Sequence, residues 1–151
     1  MSFPTVRRPL AVLVLAAAAV AAACSPAAEA VPTSAPPAEA PGGAVAALPA
    51  EVSVDEALAL RESGAFVLDV RQPEEWAAGH IPNATLIPLG DLPARVAEVP
   101  KDRQVVVVCR SGNRSATGRD VLLGAGYPSV TSMAGGMNDW TAAGYPTESG
   151  S

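Results

Sequence analysis

Cys109 opens the segment Cys109-Arg110-Ser111-Gly112-Asn113-Arg114-Ser115, whose residue types share one property: they stabilise negative charge. Four consecutive valines, Val105 to Val108, lead directly into it, and a predicted helix follows. A loop so placed can turn its own N–H groups, and those of the first helical turn, toward one atom, while the helix dipole adds positive potential. Arg110 and Arg114 bring two guanidinium charges that no physiological pH removes. Gly112 permits the backbone curl that points loop N–H groups inward. Each feature favours thiolate over thiol, the requirement for a nucleophilic cysteine. The competing reading is an inert cysteine packed at a strand end. Packing alone does not call for two arginines and a glycine within the next five residues.

A second polar group, Asp69-Val70-Arg71, ends another apolar run. Asp69 and Arg71 read as an ion pair, or as hydrogen-bonding support beneath the cysteine loop, before they read as substrate contacts. His80, the single histidine, invites a Cys/His dyad. A cysteine already ionised at neutral pH needs no general base, so His80 is assigned to fixing a turn. Trp76 and Trp140 are expected in the core, with Trp140 able to wall a pocket. Glu74 and Glu75 read as first-turn charges that complement a helix dipole.

The elements that must position these groups follow from capping and periodicity. Ser53 with Glu56 forms a capping box, which predicts a helix from Val54 to about Glu62 that stops near Gly64. Phe66 to Val70 is a β-rich run. Pro73 suits the first turn of a helix through Trp76 and Ala78, ended by Gly79. Ala84 to Ile87 is a strand candidate and Asp91 to Glu98 a short helix. Val105 to Val108, apolar at every position, reads as a strand buried on both faces. A helix is expected from Ser115 to about Leu123, a last strand from Ser129 to Met133, and a last helix from Met137 to Ala142. Strands alternating with helices predict an α/β, three-layer domain with a central, mostly parallel sheet flanked by helices. Parallel strands put Asp69–Arg71 and the cysteine loop at the same carboxyl edge, where ligands bind in such sheets.

Three motifs carry a resemblance. Leu68-Asp69-Val70-Arg71 continuing through Glu74-Glu75-Trp76 to Gly79-His80-Ile81-Pro82, the 109–115 segment, and Gly135-Gly136-Met137-Asn138-Asp139-Trp140 with Gly144-Tyr145-Pro146 together resemble a single-domain rhodanese. The similarity covers residues 51–147. Asn83 stands where the family most often has glycine. The resemblance implies a sulfurtransferase in which the loop cysteine takes sulfane sulfur from a small anionic donor such as thiosulfate. It then holds that sulfur as a persulfide and passes it to a thiol or cyanide acceptor. Carried onto this chain, Cys109 is the catalytic nucleophile, and Arg110, Ser111, Gly112, Asn113, Arg114 and Ser115 form the substrate cradle. Asp69 and Arg71 are supporting residues, and no cofactor or metal is implied. Arg114 is expected to be the principal charged partner of the donor, with Arg110 steering from solvent. Cysteine phosphatases and arsenate reductases space their cysteine and arginine as Cys-x5-Arg. Here the spacing is Cys-x4-Arg, a tighter ring better suited to one sulfur atom than to a tetrahedral oxyanion. A non-catalytic sulfur-carrier or binding module on the same fold is the alternative.

The remainder of the chain is a different polymer. Of 31 alanines in 151 residues, 18 precede residue 51, so the overall 49 % hydrophobic content overstates the core. Residues 1–23 carry Arg7 and Arg8, then a charge-free run from Leu10 that is too short to span a membrane. With Ala21-Ala22-Ala23 before Cys24, this resembles a bacterial lipoprotein signal, although Ala21 stands where that family prefers Leu. The resemblance implies acylation of Cys24 and a lipid anchor on the cell envelope, in a periplasmic or extracytoplasmic location. Plain secretion is the alternative. If Cys24 is acylated, Cys109 is left without a disulfide partner, and a lone thiol outside the cytoplasm is a liability unless used. Residues 24–50, rich in Pro and Ala, are expected to form a disordered tether. A chain starting near Glu51 is therefore expected to melt like one starting at Ser25. The net charge of −5 opposes binding to nucleic acid. One histidine and two cysteines exclude a Cys/His zinc cluster and a disulfide framework.

Overall fold

Ser53 caps the first helix through the anticipated box. Its hydroxyl accepts from the Glu56 N–H at 3.3 Å, and Glu56 Oε2 accepts from the Ser53 N–H at 2.8 Å. The computed structural model describes residues 46–150, and in them the helices α1 (Val54–Glu62), α2 (Pro73–Ala78), α3 (Leu92–Arg95), α4 (Asn113–Gly124) and α5 (Gly136–Ala142) surround five strands. A 3-10 turn, Val96–Glu98, extends α3. The strands are β1 (Glu51–Val52), β2 (Phe66–Asp69), β3 (Thr85–Leu86), β4 (Val105–Val108) and β5 (Val130–Met133). They form one sheet in the order β1-β5-β4-β2-β3, parallel at every pairing.

β4 lies at the centre, and its four valines are at most 1 % exposed. Side chains alternate across a strand, so Val105 and Val107 enter one core with Leu68, Ile87 and Leu122, while Val106 and Val108 enter the other with Val67, Met133 and Trp140. Two apolar layers on opposite faces account for the absence of polar alternation in β4. The α/β three-layer architecture is the one expected.

Some local features depart from expectation. α4 begins at Asn113, two residues before Ser115, because Gly112 itself turns the chain into the helix at φ +97°. β1 has no counterpart in the sequence reading, since two residues carry no periodicity. It exists because β5 offers an edge on which Glu51 pairs with Ser132 and Val52 with Met133. Asn83 is the one non-glycine at positive φ (+63°) among the described residues, the αL geometry that glycine would adopt without strain.

The signal segment 1–23 and most of the tether 24–50 lie outside the described residues. Hydrogen bonds cross the expected domain boundaries at 51 and 147. Ala46 accepts a hydrogen bond from the Ser129 hydroxyl, and Ala50 accepts from the Ser132 N–H at 3.1 Å and from Arg119 Nη1 at 2.8 Å. At the other end Glu148 exchanges two backbone hydrogen bonds with His80, both 2.8 Å, and the Gly150 N–H donates to Ala77 at 3.0 Å. Removing residues 46–50 takes away the acceptors of the Ser129 hydroxyl, the Ser132 N–H and Arg119 Nη1, at a net cost of about 1–3 kcal/mol. A chain beginning at Glu51 is expected to melt at least about 4 °C below one beginning at Ala46, as calorimetry would show. Equal midpoints would mean that the Ala46–Ala50 contacts add nothing.

Candidate active site

The β4 strand delivers Cys109 to the carboxyl edge of the sheet, where the residue is 1 % exposed and carries a free thiol. The left-handed turn at Gly112 swings that residue's N–H back onto the sulfur, 3.1 Å from Sγ. Ser115, in the first turn of α4, places its Oγ 3.7 Å from Sγ and donates to the Gly112 carbonyl at 2.7 Å, which holds the curl closed. Burial is the largest single influence on Cys109 and opposes ionisation. The N–H groups of Ser111 and Ser115, the Ser115 hydroxyl and the Gly112 N–H together outweigh it and hold the thiol below its ordinary range. Ser115→Ala is expected to raise the pH midpoint of Cys109 alkylation. An unmoved midpoint would remove the hydroxyl from the thiolate's support.

A second segment locks the loop from the other side. The first N–H groups of α5 donate to the loop carbonyls, Met137 to Cys109 at 2.8 Å and Asn138 to Arg110 at 3.0 Å. Such an approach requires Gly136: a Cβ there would lie 2.3 Å from the Cys109 carbonyl oxygen and 2.7 Å from the Ser111 nitrogen. Gly136 also sits at φ +59°.

Asp69 and Arg71 do form a buried ion pair, with Arg71 Nη2 2.7 Å from Asp69 Oδ2. Their support reaches the loop indirectly. Arg71 Nη1 donates to the Glu75 carbonyl at 3.1 Å and Nη2 to the Gly79 carbonyl at 2.8 Å, so the pair fixes α2. α2 in turn presents Glu75, whose two carboxylate oxygens each lie 2.7 Å from a terminal nitrogen of Arg114. This bidentate pair pulls the Glu75 pKa down to about 2, the Arg114 side chain being the main cause. Because the folded-state value is depressed, the pair's stabilisation is complete above the ordinary carboxylate range and is lost as the pH falls through about 2. Arg114 is therefore engaged by a carboxylate of the protein itself. Arg110 is exposed and has no carboxylate partner among the described residues. It borders a cleft with Arg71, Glu75, Met137, Asn138 and Thr141. Ser111 and Asn113 are exposed on the loop's outer side.

His80 serves the scaffold. Its ring stacks on Trp76 with centroids 3.6 Å apart, and Nδ1 lies 3.1 Å from the Trp76 carbonyl. Trp140 is fully buried and donates to the Pro146 carbonyl at 3.0 Å, whereas Trp76 is only half-buried. Sequence reasoning left two residues of the site without a role there: Glu75, taken as a dipole charge, and Gly136, a small residue in a motif. The spacing of Glu75 from Arg114, 39 residues, offers no local signal.

A parallel α/β sheet that presents a cysteine at its carboxyl edge, with a loop N–H on its sulfur, defines a class of α/β domains with a cysteine loop leading into a helix. Comparison with known proteins narrows that class. The family described as Rhodanese-like domain matches residues 53–143. A sulfurtransferase of Allochromatium vinosum is 42 % identical over 81 residues, covering 54 % of this chain and 76 % of the relative. Thiosulfate sulfurtransferase GlpE of Pseudomonas entomophila is 38 % identical over 97 residues, 64 % of this chain and 88 % of that protein. The crystal structure of a rhodanese-related protein from Thermoplasma volcanium superposes with a TM-score of 0.60 at 31 % identity, covering 65 % of this chain and 96 % of that one. The chain belongs to the rhodanese-like domain family, and its relatives support sulfur transfer at the family level.

Proposed function

We propose that this protein is a thiosulfate sulfurtransferase-like enzyme in which Cys109 carries sulfur as a persulfide. The observation that carries this is the Gly112 N–H aimed at Cys109 Sγ from 3.1 Å, inside a loop whose other donors favour the thiolate. The thiolate attacks the outer sulfur of thiosulfate, the S–S bond of the donor breaks, and sulfite leaves with the electron pair. Cys109 is then a persulfide anion with one added sulfur atom. Attack by cyanide on that terminal sulfur releases thiocyanate and restores the thiolate, so no external oxidant or reductant is needed. Negative charge is present at every stage, and fixed N–H dipoles stabilise it without reorganising. Exposed Arg110 steers the anionic donor to the loop. Intact-mass measurement after incubation with thiosulfate is expected to show one added sulfur atom on Cys109, removed by cyanide. An unchanged mass would overturn the reading.

The same proposal extends to location. The charge-free run ending in Ala21-Ala22-Ala23-Cys24 supports a lipid anchor on Cys24, with the domain facing outward from a bacterial membrane. Expression in a bacterial host followed by mass spectrometry of the mature N-terminus is expected to find an acylated Cys24. A soluble product with unmodified Cys24, or cleavage elsewhere, would overturn it.

A further inference from the structure

Three guanidinium groups lie close to the cysteine loop, and their availability differs. Arg71 is neutralised by Asp69 in a buried pair. Arg114 is neutralised by Glu75 through two 2.7 Å contacts, with the side chains 34 % and 26 % exposed. Arg110 stands exposed beside the cleft with no carboxylate partner among the described residues. Arg114 stands in the first turn of α4, next to Ser115, whose Oγ lies 3.7 Å from Cys109 Sγ, so its charge sits at the end of the same loop as the reacting atom. Glu75 therefore sets how much positive charge the site shows to an incoming anion.

We propose that Glu75 is a specificity-determining positioning residue: by holding Arg114 in a bidentate pair it leaves one free guanidinium at the loop, and so tunes the site to small hydropersulfides, neutral donors whose leaving group carries a single charge, over the thiosulfate dianion. This rests on the persulfide function given above. With a hydropersulfide, the Cys109 thiolate attacks the terminal sulfur of R–S–SH, the S–S bond breaks, and RS⁻ leaves with the electron pair. The proton remains on the transferred sulfur, and Cys109 becomes Cys–S–SH. The leaving thiolate carries one negative charge, matched by Arg110 alone. Sulfite carries two, and no second unpaired cation of the loop is free to meet it. Were Arg114 unpaired, that second charge would be present.

The test compares Glu75→Gln, Glu75→Asp and Arg114→Gln with the natural chain, using thiosulfate and cysteine hydropersulfide as donors. Glu75→Gln removes the countercharge of Arg114 and is expected to raise the thiosulfate-to-hydropersulfide ratio of kcat/KM by about 3- to 30-fold, through KM for thiosulfate. Arg114→Gln leaves Glu75 unpaired beside the loop and is expected to lower that ratio by a similar factor. Glu75→Asp keeps the charge and is expected to stay near the natural ratio. A second readout needs no turnover: the pH midpoint of Cys109 alkylation is expected to fall in Glu75→Gln and rise in Arg114→Gln. A purely structural pair would move neither the ratio nor the midpoint in a variant whose melting curve shows it folded. If Glu75→Gln does not fold, Arg114→Gln decides, and an unmoved ratio and midpoint there overturn the proposal. If no variant and no natural chain sulfurates Cys109, the persulfide function fails, and the alkylation midpoints alone decide whether Glu75 sets the charge at Cys109.

Discussion

Cys109→Ser is expected to reduce thiosulfate:cyanide turnover to background and to abolish the gain of one sulfur atom. A hydroxyl is not appreciably ionised at neutral pH, and the loop donors that depress a thiol's pKa cannot bring a hydroxyl into that range. Oxygen is also a poor nucleophile toward a sulfane sulfur. The substitution is small enough to leave the loop intact, because the Gly112 N–H retains an acceptor and α5 still grips the Cys109 and Arg110 carbonyls. A melting temperature close to that of the natural chain is expected together with the lost activity. Undiminished activity in Cys109→Ser would falsify the mechanism, since no other cysteine stands among the described residues to carry the sulfur.

The second large effect is expected at a residue without a side chain. Gly136→Ala places a Cβ 2.3 Å from the Cys109 carbonyl oxygen and 2.7 Å from both the Arg110 carbonyl carbon and the Ser111 nitrogen. All three are backbone atoms, so no rotamer change relieves the overlap. The αL conformation at φ +59° adds roughly 1–2 kcal/mol for any L-residue with a Cβ. The chain must pull α5 away from the loop, breaking the Met137 and Asn138 hydrogen bonds, each worth about 1 kcal/mol. A total near 3–4 kcal/mol corresponds to a fall in Tm of about 12–32 °C for a domain of this size. Sulfur transfer is expected to fall with it even in the folded fraction, because the displaced backbone carries Cys109. Measuring Tm and the activity of the folded protein separates the two losses. A Gly136→Ala protein with natural Tm and turnover would show that the α5 contact does not constrain the loop.

How much of this was legible in the sequence follows from distance along the chain. The cysteine loop could be read because its parts are contiguous: Cys109, Gly112 and Ser115 meet within seven residues, and a glycine at that position announces the turn that aims the N–H groups. The α/β alternation and the central all-valine strand were equally local, since burial on two faces writes itself into four consecutive apolar residues. The Asp69–Arg71 pair was readable for the same reason, although not what it supports: the carbonyls it holds belong to α2, and their position depends on how that helix packs.

What tertiary structure alone decided is which charges are free and which backbones touch. Ala46–Ala50 looked like tether by composition, yet their carbonyls found donors on β5 and α4. Gly136 looked like one small residue among several until the fold brought it against Cys109. The sequence by itself determined that Arg110 and Arg114 are charged, because a guanidinium keeps its proton in any fold. It could not determine that Glu75, 39 residues away, spends the charge of one and leaves the other. A carboxylate neutralises a guanidinium only at hydrogen-bond distance, and that distance is set by the packing of α2 against the start of α4.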